Sequence, residues 1–330
     1  MKKYINVGFM AIFTLMTFVL SFSSCSSEDD DIMSEYPPEE KPEVPHYDNL
    51  SYMPGANVQL INKAEYCKSI IADGKELITG NESGVITVPE LKDPKVYITF
   101  KEGITNFSDV FLGCTKLTSV PANLFANHPN ATSFSGAFFG CMSLTSIPEN
   151  LFANCPAVTN FGGTFSKCKA LIAVPKGLFV HNPKVTDFEQ TFEGCSALTA
   201  IPEKLFANNP EVTNFSLTFH GCSALTTIPE NLFANNSAVT TFSETFYGCT
   251  ALIAIPENLF ANNLAVTSFN FTFYGCKALT SIPANLFDNN RKVTDFAYTF
   301  YGCKALTGES PYTMIDGQKV HLYERANYPE

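Results

Sequence analysis

Hydrophobic and polar positions recur along most of this chain with a fixed spacing of 27 residues. Each unit contains one cysteine that recurs with this spacing, and positions within a unit are counted from that cysteine as zero. Leu falls at +3, Val or Ile and then Pro at +6 and +7, Leu-Phe at +10 and +11, and Phe at +20 and +24. A period without insertions predicts a stack of similar coils that share one core. The marker cysteines are Cys114, Cys141, Cys168, Cys195, Cys222, Cys249, Cys276 and Cys303.

Each unit predicts three short elements. Val at +17, Phe at +20, Phe at +24 and the next Cys at +27 have the spacing of one α-helical face. Residues typical of helix starts stand at +19, and Asp187 with Gln190 and Thr241 with Glu244 match a reciprocal capping box. Gly before the Cys predicts a left-handed helix end. The segment from +3 predicts a brief parallel strand, and Pro at +7 predicts a second helical turn.

The sequence Phe-Tyr-Gly-Cys-Lys-Ala-Leu-Thr-Ser-Ile-Pro at 273–283 illustrates the repeated motif. This motif and the period resemble BspA-type leucine-rich-repeat surface proteins over residues 104–309. The resemblance implies a right-handed leucine-rich solenoid on the cell surface and adhesion to host matrix proteins. The predicted fold class is therefore an α/β solenoid of about eight coils, with short parallel strands and short helices, capped by small β elements.

The two segments that flank the repeat predict caps. Residues 49–103 lack the repeat and predict a small β-rich N-terminal cap, with strands at 58–61, 85–88 and 96–100. Residues 310–330 predict a C-terminal β-hairpin around an Asp-Gly turn. Such caps would cover the end coils, whose backbone groups otherwise lack partners.

The N-terminus has the features of a lipoprotein. Residues 1–24 combine a basic start with an apolar run, as in a secretory signal peptide. Ser23-Ser24-Cys25 resembles a bacterial lipoprotein box, and the acidic run after it resembles the surface-export signal of Bacteroides-type lipoproteins. These resemblances imply a lipid on Cys25 and an exposed position on the outer membrane. The alternative is an ordinary cleaved signal and a soluble product.

Residues 25–48 form an acidic, Pro-rich segment. It contains nine acidic residues, four prolines and a single base, Lys41. Self-repelling charge and few apolar residues predict an extended tether. This segment supplies most of the chain's net charge of −11. Without a basic stripe, the composition argues against a nucleic-acid partner.

The sequence contains no motif of catalytic chemistry. The five histidines are scattered, and no phosphate loop, carboxylate pair or metal-ligand pattern is present, which argues against an enzyme, a metal site or a cofactor. An enzyme built on 49–103 stays an unsupported alternative. The cysteine column could form disulfides, but equivalent positions one coil apart exceed the reach of a bridge. Buried free thiols are the favoured interpretation.

Aromatic residues near the C-terminus form the candidate ligand-binding surface. Tyr247, Tyr274 and Tyr301 stand at +25, and Phe271 and Tyr298 stand at +22, which predicts one exposed patch. Repeat drift after duplication is the alternative explanation. The functional hypothesis is a monomeric binding or adhesion module for a host extracellular protein or glycan, held to the membrane through Cys25. The alternative of a different class is an architectural spacer without a specific ligand.

Overall fold

The computed structural model of the chain describes residues 49–78, 82–307, 312–315 and 318–321. The predicted signal peptide, Cys25 and the acidic tether lie outside these residues. Within the described ranges, no helix is long and apolar enough to cross a membrane.

Short strands form the described region before the repeat. The elements are β1 (Leu50–Tyr52), β2 (Gly55–Ile61), a 3-10 turn (Ala64–Tyr66), β3 (Cys67–Ala72), β4 (Lys75–Glu76), β5 (Ile86–Leu91) and β6 (Lys95–Phe100). The three predicted strands are therefore present, as β2, β5 and β6. β2 pairs with β5, and a second, five-stranded sheet has the order β4-β3-β6-β1-β7, where β7 (Leu117–Ser119) belongs to the first coil.

These strands take the place of a preceding coil. β1 pairs antiparallel with β7. The backbone N–H of Asn62 donates to the Val110 carbonyl at 2.9 Å, and Gln59 Nε2 donates to the Leu112 carbonyl at 2.7 Å. Both carbonyls occupy positions that, in later coils, accept hydrogen bonds from the coil before. The first coil therefore has hydrogen-bond donors on its otherwise open side.

Successive coils are joined along the segment from +18 to +26. Parallel bridges link the +19 residues of eight coils, from Asn106 through to Asp295. In each coil the N–H groups at +20, +22, +24 and +26 donate to the next coil, as in Phe192 to the Thr218 carbonyl at 2.9 Å. The N–H groups at +23 and +25 bond three residues back, as in Thr191 to Phe188 at 3.2 Å. This segment is called the ladder below.

The prediction of a helix from +19 to +27 is wrong, since the described residues contain no α-helix. The residues at +22 and +26 have left-handed backbones, as in Glu244 (φ 58°) and Gly248 (φ 68°). A left-handed residue interrupts an α-helix, and a helix of this length is marginal alone. Turning alternate peptides towards the neighbouring coil instead gives the N–H groups at +20, +22, +24 and +26 partners wherever a coil follows.

Two features predicted for the ends of the helix are present although the helix itself is not. The side chain at +19 does cap a turn, because Asp187 Oδ1 accepts a hydrogen bond from the Glu189 N–H at 2.8 Å. The left-handed Gly before Cys is also confirmed. The capping boxes require a helical residue at +22, and Gln190 and Glu244 are left-handed there.

The predicted parallel sheet at +3 to +7 is reduced to sparse contacts. Among the described coils only the first has a strand here, β7, and it pairs antiparallel with β1. Later coils share one bond at +4, such as Ile253 N–H to the Thr226 carbonyl at 3.2 Å, and one pair of coils also has a parallel bridge between Ala200 and Thr227. Pro at +7 does begin a turn, since the Leu232 N–H donates to the Pro229 carbonyl. Pro cannot donate to a ladder, which limits strand length.

One continuous apolar core runs from the N-terminal strands through all the coils. Phe rings at +11, +20 and +24 are buried and stack on their equivalents, as in Phe215 and Phe242 with centroids 5.8 Å apart. Burial of aromatic rings is the main favourable contribution of each coil. Neither end coil could bury these rings without its neighbour.

Buried polar side chains complete the coil. Asn236 Nδ2 donates to the Phe206 and Asn209 carbonyls of the preceding coil at 3.1 and 2.8 Å. The Cys222 thiol donates to the Phe192 carbonyl at 3.2 Å, and the pattern recurs from Cys141 to Cys303. Desolvation raises the pKa of the Cys168 and Cys222 thiols. The ten described cysteines are unpaired.

The predicted C-terminal hairpin is present as a strand pair. β8 (Tyr312–Ile315) pairs antiparallel with β9 (Gln318–His321), with Tyr312 opposite His321. The remaining residues of the predicted cap lie outside the described part of the chain.

Candidate functional site

The five predicted aromatic residues lie together on the outer side of the ladder. Tyr247 stacks on Tyr274 with ring centroids 4.5 Å apart, and Tyr274 stacks on Tyr301 at 5.2 Å. In the neighbouring column Phe271 stacks on Tyr298 at 4.6 Å. The two columns touch, because Phe271 lies 5.5 Å from Tyr274. The five residues are therefore adjacent, and their role in ligand binding stays a prediction.

His220 extends the first column by one coil. Its imidazole lies 4.4 Å from the Tyr247 ring, with the planes 2° from parallel. His220 stands at +25, in the same column as the tyrosines, so the sequence contained the signal for its inclusion. The aromatic surface is defined as His220, Tyr247, Phe271, Tyr274, Tyr298 and Tyr301.

The ladder sets this stacking geometry. In the pair of coils that contain Tyr247 and Tyr274, the Phe233 and Phe260 rings at +11 are 6.2 Å apart. The rings at +20 are 5.8 Å apart and those at +25 only 4.5 Å apart. Neighbouring coils are therefore closer together at the ladder than at the +11 rings. This difference bends the stack, and the aromatic surface lies on the concave side of the bend. Such curved repeat stacks present extended binding surfaces.

The aromatic surface is half-buried rather than fully exposed. Each ring covers the faces of its neighbours in the column, and this leaves ring edges and hydroxyl groups for contact with solvent. Burial raises the pKa of the Tyr247 phenol, and the nearby Tyr274 and Glu244 raise it further. At neutral pH the Tyr247 phenol is therefore neutral and can both donate and accept hydrogen bonds.

Acidic side chains border the aromatic surface, a feature that the sequence interpretation missed. Glu244 Oε2 lies 3.3 Å from His220 Nδ1. Glu193 occupies +25 in the coil before His220 and accepts a hydrogen bond from Ser166 at 2.9 Å. Glu189, in that same coil, accepts one from Asn214 at 3.1 Å. Because neighbouring coils hold these carboxylates, they form a fixed acidic rim, defined as Glu189, Glu193 and Glu244.

Other functional chemistry has less structural support. Among the described residues, no group of three or more His, Cys, Asp or Glu side chains could hold a metal ion. The buried thiols are poor nucleophiles, because burial raises the pKa of Cys168 to about 12. Cys25, the predicted lipid-attachment residue, lies outside the described residues.

A protein-family model described as a Mycoplasma protein of unknown function, DUF285, matches residues 159–282 and 186–312. No curated protein matches the sequence. Among solved structures, the chain is similar to one in the Toll–Spatzle complex from Drosophila, at 19% identity with a TM-score of 0.33. That match covers 60% of this chain and 29% of the other. The chain thus spans less than a third of that Drosophila chain.

Two bacterial structures are also similar. A leucine-rich repeat protein from Bacteroides ovatus is 18% identical over 65% of this chain and 82% of the other, with a TM-score of 0.15. A leucine-rich cell surface protein from Faecalibacterium prausnitzii is 17% identical over 71% and 94%, with a TM-score of 0.14. The repeat architecture of the present chain is established by its own period and coil-to-coil hydrogen bonds.

Proposed function

We propose that this protein is a surface-displayed, lipid-anchored binding module that contacts an extracellular host protein or glycan through its aromatic surface. The observation that carries the proposal is the uninterrupted stack from His220 to Tyr301, joined to Phe271 and Tyr298. Aromatic clusters at protein surfaces are enriched in contact sites. Lipid attachment at Cys25 and the acidic tether would hold the coils away from the membrane.

The geometry favours binding over catalysis. The Tyr247 and Tyr274 rings are held in place on both sides by their neighbours, so a ligand would meet an ordered surface and little side-chain entropy would be lost on contact. The concave side of the stack also lets one ligand touch several coils at once. Half-buried tyrosines supply apolar area and hydroxyl groups together, as binding surfaces commonly do.

The proposal can be tested with a soluble form of the chain that begins at Ser26. This form is applied to immobilised extracellular-matrix proteins and to a glycan array, and binding is measured by surface plasmon resonance. The variant Tyr247→Ser/Tyr274→Ser/Tyr301→Ser should lose at least tenfold in affinity for any partner found. A Phe variant at the same positions keeps the stack and reports the contribution of the hydroxyl groups.

A matched control separates recognition from general loss of apolar surface. Ile172, Ile253 and Leu264 are exposed by 56, 51 and 55% and are not part of the aromatic surface. Their triple Ser variant should bind as tightly as the wild-type protein, with both triple variants folded by circular dichroism. Equal loss in the two variants, or no binding by the wild-type protein to any partner, would favour the architectural spacer.

A further inference from the structure

We infer that the ligand of the aromatic surface is a cationic, extended polypeptide segment, which also engages the acidic rim of Glu189, Glu193 and Glu244. This inference rests on the proposed binding function and specifies the class of partner. Three features of the described residues carry it: the orientation of the rings, the charge around them and the spacing of the carboxylates.

The orientation of the rings disfavours a sugar. A pyranose that packs on an aromatic residue uses an open ring face. Within the column the faces of Tyr247 and Tyr274 are covered, since these rings lie 4.5 Å apart with planes 6° from parallel. Tyr247 is also covered on its other side by His220. The accessible groups of Tyr247 and Tyr274 are therefore ring edges and phenol hydroxyls, which suit hydrogen bonds and apolar contacts with a polypeptide.

The charge around the aromatic surface favours a cation. In the described part of the chain, no lysine or arginine is paired with Glu189, Glu193 or Glu244, whose contacts are to Asn214, Ser166 and His220. Lys167, in the coil before Glu193, instead lies over the Phe139 ring, with its ammonium 4.8 Å from the centroid. An arginine of the partner can pair with such fixed carboxylates and donate hydrogen bonds to the phenol oxygens.

The spacing of the carboxylates matches an extended chain. Glu189 and Glu193 belong to one coil and Glu244 to the second coil after it, so the rim spans two coil steps, roughly 10 Å. An extended polypeptide advances about 3.3–3.6 Å per residue, so arginines three residues apart are also about 10 Å apart. Such a segment, lying along the stack axis, would reach both carboxylate groups and the tyrosine hydroxyls beyond them.

The test uses the soluble chain from Ser26 and three fluorescein-labelled peptides, (Arg-Gly-Ser)5, (Gln-Gly-Ser)5 and (Glu-Gly-Ser)5, measured by fluorescence anisotropy. We expect the arginine peptide to bind at least tenfold more tightly than the other two. Its affinity should fall about tenfold between low and moderately high salt, since exposed charge pairs are screened.

A charge-matched pair of variants tests the position of the site. The triple variant Glu189→Gln/Glu193→Gln/Glu244→Gln should bind the arginine peptide with about tenfold lower affinity. Glu203→Gln/Glu230→Gln/Glu257→Gln changes the net charge equally, but at exposed residues of position +8, away from the ladder. This control should change the affinity less than twofold. Equal losses in the two variants would overturn the inference, because the peptide would then respond to net charge alone.

The outcomes also distinguish this inference from the proposed function. If a glycan or protein from the panel binds through the tyrosines while the arginine peptide binds no better than the glutamine peptide, the cationic-segment inference is wrong and the binding function stands. If no partner and no peptide binds, both fail. Binding of the arginine peptide that is lost in both the rim variant and the Tyr→Ser variant supports both.

Discussion

The imidazole of His220 lies flat on the ring of Tyr247, with centroids 4.4 Å apart and planes 2° from parallel. The two residues are 27 positions apart in sequence, so this contact links one coil to the next on the outer side of the ladder. Tyr247 makes the same contact with Tyr274 on its other face. The phenol of Tyr247 is therefore enclosed between two rings.

Tyr274→Phe should lower the pKa of Tyr247 while leaving it above the ordinary tyrosine value. Burial is the largest cause of the raised pKa, and the Phe ring preserves it. The Tyr274 hydroxyl adds to the shift through its hydrogen bond and its charge when ionised, and the variant removes both. NMR titration of tyrosines labelled at the ring carbon bonded to oxygen would follow this group. An unchanged or higher Tyr247 pKa would contradict the contact.

Asn236→Ala should destabilise the protein by about 2–3 kcal/mol in urea unfolding. The change removes two buried hydrogen bonds to carbonyls of the preceding coil. Asn235 is the matched control: it is exposed, and its Nδ2 makes one bond, to the Ala207 carbonyl at 2.9 Å. Asn235→Ala should therefore cost less than about 1 kcal/mol. Similar costs for the two variants would show that burial of the amide column contributes little.

Cys222→Ala should cost more stability than Cys222→Ser. The alanine removes the donor to the Phe192 carbonyl and leaves a small cavity, for a loss of about 2–3 kcal/mol. Serine keeps a donor in place of the thiol and should recover about 1 kcal/mol of that loss. Chemical denaturation of the purified variants measures both. If the serine variant is less stable than the alanine variant, the thiol acts only as an apolar group.

The buried thiols should resist alkylation in the folded protein up to high pH. Burial raises the pKa of Cys67, Cys155 and Cys168 to about 12. Intact mass after iodoacetamide at pH 9 should show none of the ten described cysteines modified in the native state and all of them modified after denaturation without reductant. Missing additions in the denatured sample would reveal disulfides.

The raised pKa of the buried thiols also predicts how the stability of the protein depends on pH. The folded state binds more protons than the unfolded state between the unfolded thiol pKa of about 8.5 and the folded value of about 12. The contribution of the thiols is therefore fully present below pH about 8.5 and declines as the pH rises towards 12. Urea midpoints measured from pH 7 to 11 should fall in the alkaline range.

Leu217→Gly should stabilise the protein by about 0.5–1 kcal/mol. Leu217 has a φ of 57°, a left-handed conformation that costs an L-residue about 1–2 kcal/mol and costs Gly nothing comparable. Part of this gain is offset, because glycine increases the conformational entropy of the unfolded chain. Glycine already occupies this position in two earlier coils, at Gly136 and Gly163. Leu217→Ala keeps the strained backbone and serves as the control, with no gain expected in thermal melting.

The sequence predicted what depends on the period and missed what depends on contacts between coils. The buried columns of Leu, Phe and Cys follow from spacing alone, and so does the adjacency of Tyr247, Tyr274 and Tyr301. The helix failed because its 3-4-3 apolar spacing also fits a turn in which alternate peptides face the next coil. Only the left-handed residues distinguish such a turn from a helix. At +22 these include Leu217 and Glu244, and because neither is a glycine the sequence gives no sign of a left-handed backbone there.

The acidic rim could not have been predicted for a similar reason. Glu193 and Glu244 occupy different positions in their units, +25 and +22, so no column of acids appears in the aligned repeat. Their proximity to the aromatic surface arises from the close approach of coils at the ladder. The buried amide column at +14 had a sequence signal, from Asn182 onwards, and its role emerges only from the carbonyls it reaches.

The bonds that join each coil to the next are the same along the stack, with Asn214 related to Thr241 as Thr241 is to Ser268. Unequal recombination within the gene could therefore remove or add a whole unit and leave both new neighbours correctly paired. Length in this protein is consequently a quantity that selection can adjust in discrete steps of one 27-residue coil.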